Sequence, residues 1–562
     1  MKRSDNILSK LGGASDIMVW LVPLLLLIPN IALDITEISY SWADKAVNIL
    51  VPAGVYLMLF AASRRTGATT LWFIPVMVLC AFQIVLLFLY GESIIAIDMF
   101  LNVVTTNVHE ATELLRNLSA AIVVVCVLYL PPIIAATVMC VKGSRAGRRN
   151  RKAALYCGIA LAAAGFACMA AANDYHPTRK LFPVNVISNM FEALERTRLT
   201  ENYFDTSADY SFGSIDCSGD STGVYVLVIG ETSRADNWQL NGYQRPTNPR
   251  LSKRSGLLSF NRALSESNTT HKSVPLLMSA LDACDFGDSI YQCKGVIDAF
   301  KEAGISTAFI SNQQRNGALI DFFGEQADSV LFLTDDGAEH YDTELCMHLK
   351  DVIENNKDGK VFVVLHTYGS HFNYKERYPD EYTYFKPDNS TEASAANRDE
   401  LMNAYDNAIR YTDAVIDGIV DVLAKSNRSS AMVYLADHGE DIFDDSRERF
   451  LHASPTPTYW QIHVPMLVWV SDSYRAANPD RYTTLLANTG KNVSSSRSAF
   501  HTLISLAGIM TDDYKAAADL SSPDYSEPTR VFLNDYNEAV PLKESGLRKP
   551  DYDQLAQHRI NF

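Results

Sequence analysis

Residues 224–233 read VYVLVIGETS and residues 431–440 read AMVYLADHGE. In both, an unbroken run of β-branched and large apolar residues gives way at once to residues that can ligate a metal or accept a proton. A short apolar run bounded by a turn is the pattern of a strand buried on both faces. Similar runs occur at 305–310 (ISTAFI), 361–365 (VFVVL) and 464–470 (VPMLVWV). Helical patterns lie between them, among them 293–304 and the long 397–425 segment. This alternation predicts an α/β domain with a central, mostly parallel sheet between helices.

The polar residues at the end of each run locate the function. Gly230-Glu231-Thr232 ends the first, and Ser311-Asn312-Gln313-Gln314 the second. His366 and then Gly369-Ser370-His371 come after the third, and Asp437-His438-Gly439-Glu440 after the fourth. In open α/β sheets, ligands bind beyond the carboxyl ends of the strands. Any one of these groups alone reads as a helix cap or a turn. Four of them on one edge are not explained by core packing. Carboxylates and imidazoles without thiolates suit zinc or manganese. Asp437 and His438 can bend toward one ion, and Glu231 can supply a third ligand, leaving a fourth position open for a nucleophile or a substrate oxygen.

The segment ESNTTHKSVPLLMS at 266–279 offers Thr269, Thr270 and Ser273 as hydroxyl nucleophiles. Each is weak until a base or a metal ion activates it. The apolar run after them predicts a helix, so the hydroxyls sit near its N-terminus, where backbone N–H groups favour a phosphate. The same residues would also serve as ordinary helix caps.

The N-terminal third is different in kind. Five apolar segments, at roughly 17–33, 47–62, 70–90, 117–141 and 153–172, are candidates to cross a hydrocarbon layer of ~30 Å, which takes ~20 residues each. Lys2, Arg3 and Lys10, then Arg64 and Arg65, then Lys142, Arg145, Arg148, Arg149, Arg151 and Lys152 fall on one side. The other side holds only Lys45 and Arg116. The positive-inside rule makes the N-terminus cytoplasmic and places everything after residue 172 outside. The expected organisation is a five-helix transmembrane domain over 1–172, a bridging helix and linker over 173–220, and a catalytic domain over 221–562. Within the loop at 92–116, Asn102, Thr106 and Glu110 are spaced to share one helical face. They predict an amphipathic helix near 95–115 at the outer membrane surface, although spacing alone equally describes a solvated polar face.

The net charge of −16 argues against nucleic acid as the main partner. Of nine cysteines, five lie in the apolar third. The other four (Cys217, Cys284, Cys293 and Cys346) are compatible in number with two disulfides in an oxidising compartment, and Cys284 and Cys293 could close a short loop.

Several of these segments together resemble the bacterial phosphoethanolamine transferases of the alkaline phosphatase/sulfatase superfamily, the lipopolysaccharide-modifying type. The resemblance rests on the apolar N-terminal spans, VIGETSRADNWQLNGYQRPTNPRL at 228–251, NTTHKSVP at 268–275, LHTYGSH at 365–371, LADHGE at 435–440 and FLHASPT at 450–456. It implies Thr270 as nucleophile and Glu231, Asp437 and His438, with Thr270, as ligands of Zn2+. It implies His371 and His452 as histidines near the transferred group, in some members around a second zinc. Asn102, Thr106 and Glu110 match positions that contact a lipid head group, and His366, Glu440 and Asn312 are candidate neighbours of the substrate. The implied reaction moves phosphoethanolamine from phosphatidylethanolamine to a lipopolysaccharide acceptor, lipid A phosphate or core sugar, through a covalent threonine intermediate. A monomer in the bacterial inner membrane with a periplasmic catalytic domain is expected. A phosphoglycerol transferase is the nearest alternative. The oxidisable Cys/Ser-x-Pro-x-Arg setting of a sulfatase occurs only as Ser526-Glu527-Pro528-Thr529-Arg530, well after the Asp437 turn. Cysteines that flank the nucleophile in some members are replaced here by Glu266 and Leu276.

Overall fold

The computed structural model describes residues 2–37, 40–91, 94–105, 118–172, 175–390 and 392–562. The chain divides into two units, an N-terminal one of residues 1–101 and 108–195 and a C-terminal one of residues 102–107 and 196–562.

Among the described residues of the N-terminal unit, four helical stretches are long and apolar enough to cross a membrane: Gly13–Thr36, Trp42–Ala62, Ala120–Val141 and Arg148–Ala171. Thr66–Trp72 and Ile74–Tyr90 meet the same test only as a pair, bent by 54°. The expected five spans are thus four helices, plus a fifth only if the bent pair is one span. The helices Trp42–Ala62 and Arg148–Ala171 approach closely through small residues. A Cβ on Gly54 would lie 2.5 Å from Ala162 N, and one on Gly158 would lie 2.8 Å from Gly54 O. Small residues permit this backbone contact where apolar surroundings supply no other drive for association.

The C-terminal unit is built on a seven-stranded sheet. Its strands are β1 (Val224–Gly230), β2 (Leu257–Ser259), β3 (Ser306–Ser311), β4 (Ser329–Phe332), β5 (Val361–His366), β6 (Ser430–Ala436) and β7 (Met466–Val470). Their spatial order is β2-β7-β6-β1-β5-β3-β4. The five from β6 to β4 are parallel, while β7 runs antiparallel to β6 and β2 antiparallel to β7. The sheet is therefore mixed: the run at 464–470 is a strand, but of opposite sense.

Alternation builds two cores from one strand. Tyr225, Leu227 and Ile229 point into one layer, and Val224, Val226 and Val228 into the other. Phe362 and Val364 oppose Val361, Val363 and Leu365 in the same way. The first layer is closed by Val296–Glu302, Thr270–Met278 and Ser495–Ala507, the second by Glu344–Asn355 and Arg398–Lys425. Burial on both faces accounts for apolar runs that do not alternate with polar residues.

Register then aligns the strand ends. Ile229 pairs with His366, Gly230 with Ala436, and Ser311 with His366. The residues just beyond these positions leave the sheet from one row.

All nine cysteines are free. The expected disulfides, including a Cys284–Cys293 loop, are absent. Cys293 is buried, with its thiol directed to Ile290 O, whereas Cys284 is exposed.

Candidate active site and metal centre

Glu231, Asp437 and His438 each leave the row of strand ends and converge, with one ligand atom apiece lying within 4.8 Å of the others. All three are buried, and Glu440 lies buried beside them. Thr270, His371 and His452 are partly exposed, so a buried floor carries a more open rim.

Backbone hydrogen bonds decide which atoms are left to face the centre. Asp437 Oδ1 accepts the amides of Thr232 at 3.0 Å and His438 at 2.7 Å. Its Oδ2 is buried without a hydrogen-bond partner. His438 Nδ1 lies 3.0 Å from Gly439 O, which requires the proton on Nδ1 and leaves Nε2 as a lone pair. Burial, reinforced by His452, lowers the His438 pKa to about 3, so the ring is neutral. Nε2 then faces Asp437 Oδ2 at 3.2 Å, lone pair to lone pair. Burial, then the charge of Asp437, raises the Glu231 pKa, and burial raises that of Asp437 to about 6.

Two desolvated carboxylates and an imidazole lone pair that converge without a cation of the chain between them repel one another. An ion with oxygen and nitrogen preference would resolve that repulsion, and the orphaned Asp437 Oδ2 is the atom it would satisfy. The donor set fits zinc, with Glu231, Asp437, His438 and the Thr270 hydroxyl in position to hold it.

Thr270 opens the helix Thr270–Met278. Its Oγ1 is 3.1 Å from His438 Nε2 and 3.5 Å from Glu231 Oε2. Of the three hydroxyls open in the sequence, Thr270 is the one brought to the cluster. Thr269 Oγ1 bonds Ser267 Oγ at 3.1 Å, and Ser273 Oγ donates to Thr269 O at 2.7 Å.

His452 presents its Nδ1 to Glu440 Oε2 at 3.0 Å and lies ring to ring with His438 at 4.1 Å. Tyr374 OH donates to Glu440 Oε1, fixing the carboxylate from its other side. Burial lifts the Glu440 pKa to about 7, and burial with the charge of His371 lowers that of His452 to about 4. His371 Nδ1 lies 2.7 Å from Phe372 O, and its ring stacks on Tyr368 and meets His452 edge-on at 5.9 Å.

The remaining expected residues are placed less centrally. His366 ends β5, bonded through Nδ1 to Ser311 Oγ at 3.2 Å, and burial lowers its pKa to about 3. The Asn312 amide is turned to Asp342 Oδ1 at 2.8 Å and His340 O at 3.0 Å. Asn102 is half-buried in the helix Ile97–Thr105. Thr106 and Glu110 lie outside the described residues.

Sequence reasoning passed over Gln313, whose Nε2 donates to Glu231 Oε2 at 3.1 Å and to Thr367 O at 3.0 Å. It also passed over Thr232, whose hydroxyl donates to Glu231 Oε1 at 2.6 Å. Thr232 holds φ +53°, and Leu451 and Ala453, on either side of His452, hold +69° and +62°. Left-handed conformations cost a β-branched or bulky residue roughly 1–3 kcal/mol, and such strain gathers at functional sites. Gly369 is required where it stands: a Cβ there would meet Glu231 O at 2.6 Å, and its φ is +58°. Gln313 and Thr232 lie in the polar segments that end the strands, but no pattern there marks them out from their neighbours, and none announces Leu451 or Ala453. A separate cavity of about 930 Å³, lined in part by Asp220, Tyr225, Arg428 and Arg481, opens at the amino ends of the strands and takes in none of these residues.

Comparison with known proteins agrees with this geometry. The sulfatase family model matches residues 224–509, and the model for phosphoethanolamine transferase EptA/EptB matches residues 53–182. Phosphoethanolamine transferase EptA of Escherichia coli K12 is 34% identical over 305 residues, which is 52% of this chain and 55% of that protein. The chain thus spans little more than half the length of such curated relatives. The C-terminal periplasmic domain of EptC from Escherichia coli, solved in complex with zinc, superposes with a TM-score of 0.54 at 26% identity, covering 60% of this chain and 97% of that domain. The integral membrane lipooligosaccharide phosphoethanolamine transferase A of Neisseria meningitidis shares the fold at a TM-score of 0.69 and 21% identity, over 90% of this chain and 98% of that one. The chain belongs to the sulfatase family, with a segment of the phosphoethanolamine transferase EptA/EptB type ahead of its sulfatase domain.

Proposed function

We propose that the protein transfers phosphoethanolamine from phosphatidylethanolamine to a lipopolysaccharide acceptor, lipid A phosphate or core sugar, by way of a phospho-Thr270 intermediate. The observation that carries this reading is the seat of the Thr270 hydroxyl, at a helix N-terminus and 3.1 Å from His438 Nε2, over a buried carboxylate with an unpartnered oxygen. The similarity to enzymes named phosphoethanolamine transferases and to a zinc complex supports the choice of group and of metal. Zinc bound by Glu231, Asp437 and His438 would neutralise the carboxylates, lower the hydroxyl pKa and stabilise negative charge on the phosphoryl oxygens.

Thr270 Oγ attacks phosphorus, and the bond from phosphorus to the diacylglycerol oxygen breaks. The Thr270 proton travels through a rim histidine, His452 or His371, to that leaving oxygen, releasing diacylglycerol. In the second half, the acceptor oxygen attacks phosphorus and the bond to Thr270 Oγ breaks. The acceptor's proton, where it carries one, returns by the same ring to Thr270. Glu440 holds His452 by Nδ1, which keeps Nε2 for this traffic. The N-terminal helices, read as five spans of the inner membrane with the catalytic domain in the periplasm, keep the site near a lipid donor and raise its effective concentration.

Mass spectrometry of protein incubated with labelled phosphatidylethanolamine should find a phosphoethanolamine adduct on the Thr270 peptide. Thr270→Ala should lack the adduct and lose at least about 10³-fold in transfer rate. A fully active Thr270→Ala, or equal use of labelled phosphatidylglycerol, would reject this reading.

A further inference from the structure

The helix Val184–Glu201 carries an apolar face that is exposed among the described residues. It comes after the last apolar helix, Arg148–Ala171, across residues 172–183. Its approach is pinned to the first two candidate spans, Gly13–Thr36 and Trp42–Ala62. Asn30 Nδ2 donates to Phe182 O at 2.9 Å, Tyr40 OH to Lys180 O at 3.1 Å, and Lys180 Nζ reaches Asp44 at 3.5 Å. Tyr40 lies between those two spans, and Asp44 sits in the first turn of the second, capped by Ser41. The helix therefore starts at the level where spans would leave the hydrocarbon, a level at which Trp42 is also 76% exposed, as aromatic belts are.

One face of the helix is committed. Val186 and Phe182 join the core that holds Met18, Val22 and Ile95, and Asn189 Nδ2 donates to Ile95 O at 2.8 Å. On the free side stand Val184 (41% exposed), Ile187 (45%), Met190 (38%), Phe191 (63%) and Leu194 (57%). At about 100° per residue these five fall within about a third of the circumference. Ser188 and Glu192 flank them, and Arg198 lies beyond the stripe. Five large apolar side chains in water would be a liability on a soluble surface. At the level of the span ends, next to lipid, they are an anchor.

We propose that this stripe lies in the boundary between head groups and acyl chains of the outer leaflet, making Val184–Glu201 an interfacial helix. The inference rests on reading the N-terminal helices as membrane spans and not on the transfer chemistry. Leaflet burial of the apolar face supplies the holding force.

The test uses the full chain in vesicles of phosphatidylethanolamine and phosphatidylglycerol, with Phe191→Cys, Ile187→Cys and Glu192→Cys made singly. A water-soluble, membrane-impermeant maleimide is added, and peptide mass spectrometry reads the new thiol apart from the native ones, Cys168 and Cys217 being the nearest. Phe191→Cys and Ile187→Cys should label about tenfold more slowly than Glu192→Cys, since only the last faces water. Equal rates at the three positions would overturn the proposal. So would oxidative cross-linking of Phe191→Cys between copies, which would assign the stripe to a second molecule. Because labelling rather than transfer is measured, an inactive but correctly inserted protein still gives a decisive result.

Discussion

A few residues after Glu231, a second group of acid and histidine side chains gathers around Asp236, and the two groups differ in their leftover atoms. Asp236 Oδ1 accepts Tyr459 OH at 3.0 Å and His558 Nε2 at 3.1 Å, and Oδ2 accepts His463 Nδ1 at 2.7 Å. His463 spends its other nitrogen on Asn261 O at 3.1 Å. Every oxygen and both His463 nitrogens are engaged, so this group is a closed fastening that ties the C-terminal His558 to the domain. The group around Asp437 uses the same residue types but leaves Asp437 Oδ2 without a donor, and its His438 Nε2 lone pair faces the Thr270 hydroxyl at 3.1 Å. Residue type does not separate a fastening from a ligand-binding centre. The unpaired carboxylate oxygen does.

The contrast fails if the two carboxylates behave alike on substitution. Asp437→Asn should cost the most, with bound zinc per chain falling well below that of the native protein and transfer dropping about 10²-fold or more, read by metal analysis and labelled-donor turnover. Prolonged chelation of the native protein should give the same loss, reversed by zinc. Asp236→Asn should leave zinc content unchanged and instead lower stability by about 3 kcal/mol, because it breaks a largely buried charge cluster.

The pH dependence of that second effect has a defined sign. Burial pushes the Asp236 carboxyl up, but His463 and His558 outweigh it and hold it well below the usual carboxylate range. Stability from a carboxyl so depressed is full above the unfolded value near 4 and is lost as pH falls. The hydrogen bond to Asp236 raises the His558 pKa against its burial, so that part is lost again as pH rises above about 6.5. The gap in melting temperature between native protein and Asp236→Asn should thus be widest between about pH 4 and 6.5 and close on the acid side. Gln313→Ala sharpens the comparison most gently. It removes one donor from Glu231 without removing a ligand, and zinc affinity should fall about tenfold with the fold intact.

Much of this architecture is legible in the sequence. The five long strands stand out because burial on both faces makes them uniformly apolar, and their common register puts Glu231, His366 and Asp437 on one edge. The strands Leu257–Ser259 and Ser329–Phe332 are too short to show a period, and nothing in 464–470 distinguishes an antiparallel neighbour from a parallel one. Asn312 and Gln313 exchange importance for a similar reason. After Ser311 the chain turns, with Ser311 Oγ accepting the Gln313 amide at 3.0 Å, and that turn decides which amide side chain reaches Glu231. Cysteine number suggests disulfides, but pairing depends on distances that composition does not contain.

The two-layered alternation of β1 has a consequence for what this sheet can tolerate. A strand whose odd and even residues belong to different cores behaves as a measuring rod. Substituting one apolar residue for another leaves its graduations in place. Deleting a single residue between Val224 and Ile229 would exchange the layers or draw Glu231 back by one step, about 3.3 Å, out of reach of Asp437. Strand length, counted in residues, is the tolerance to which this centre is machined.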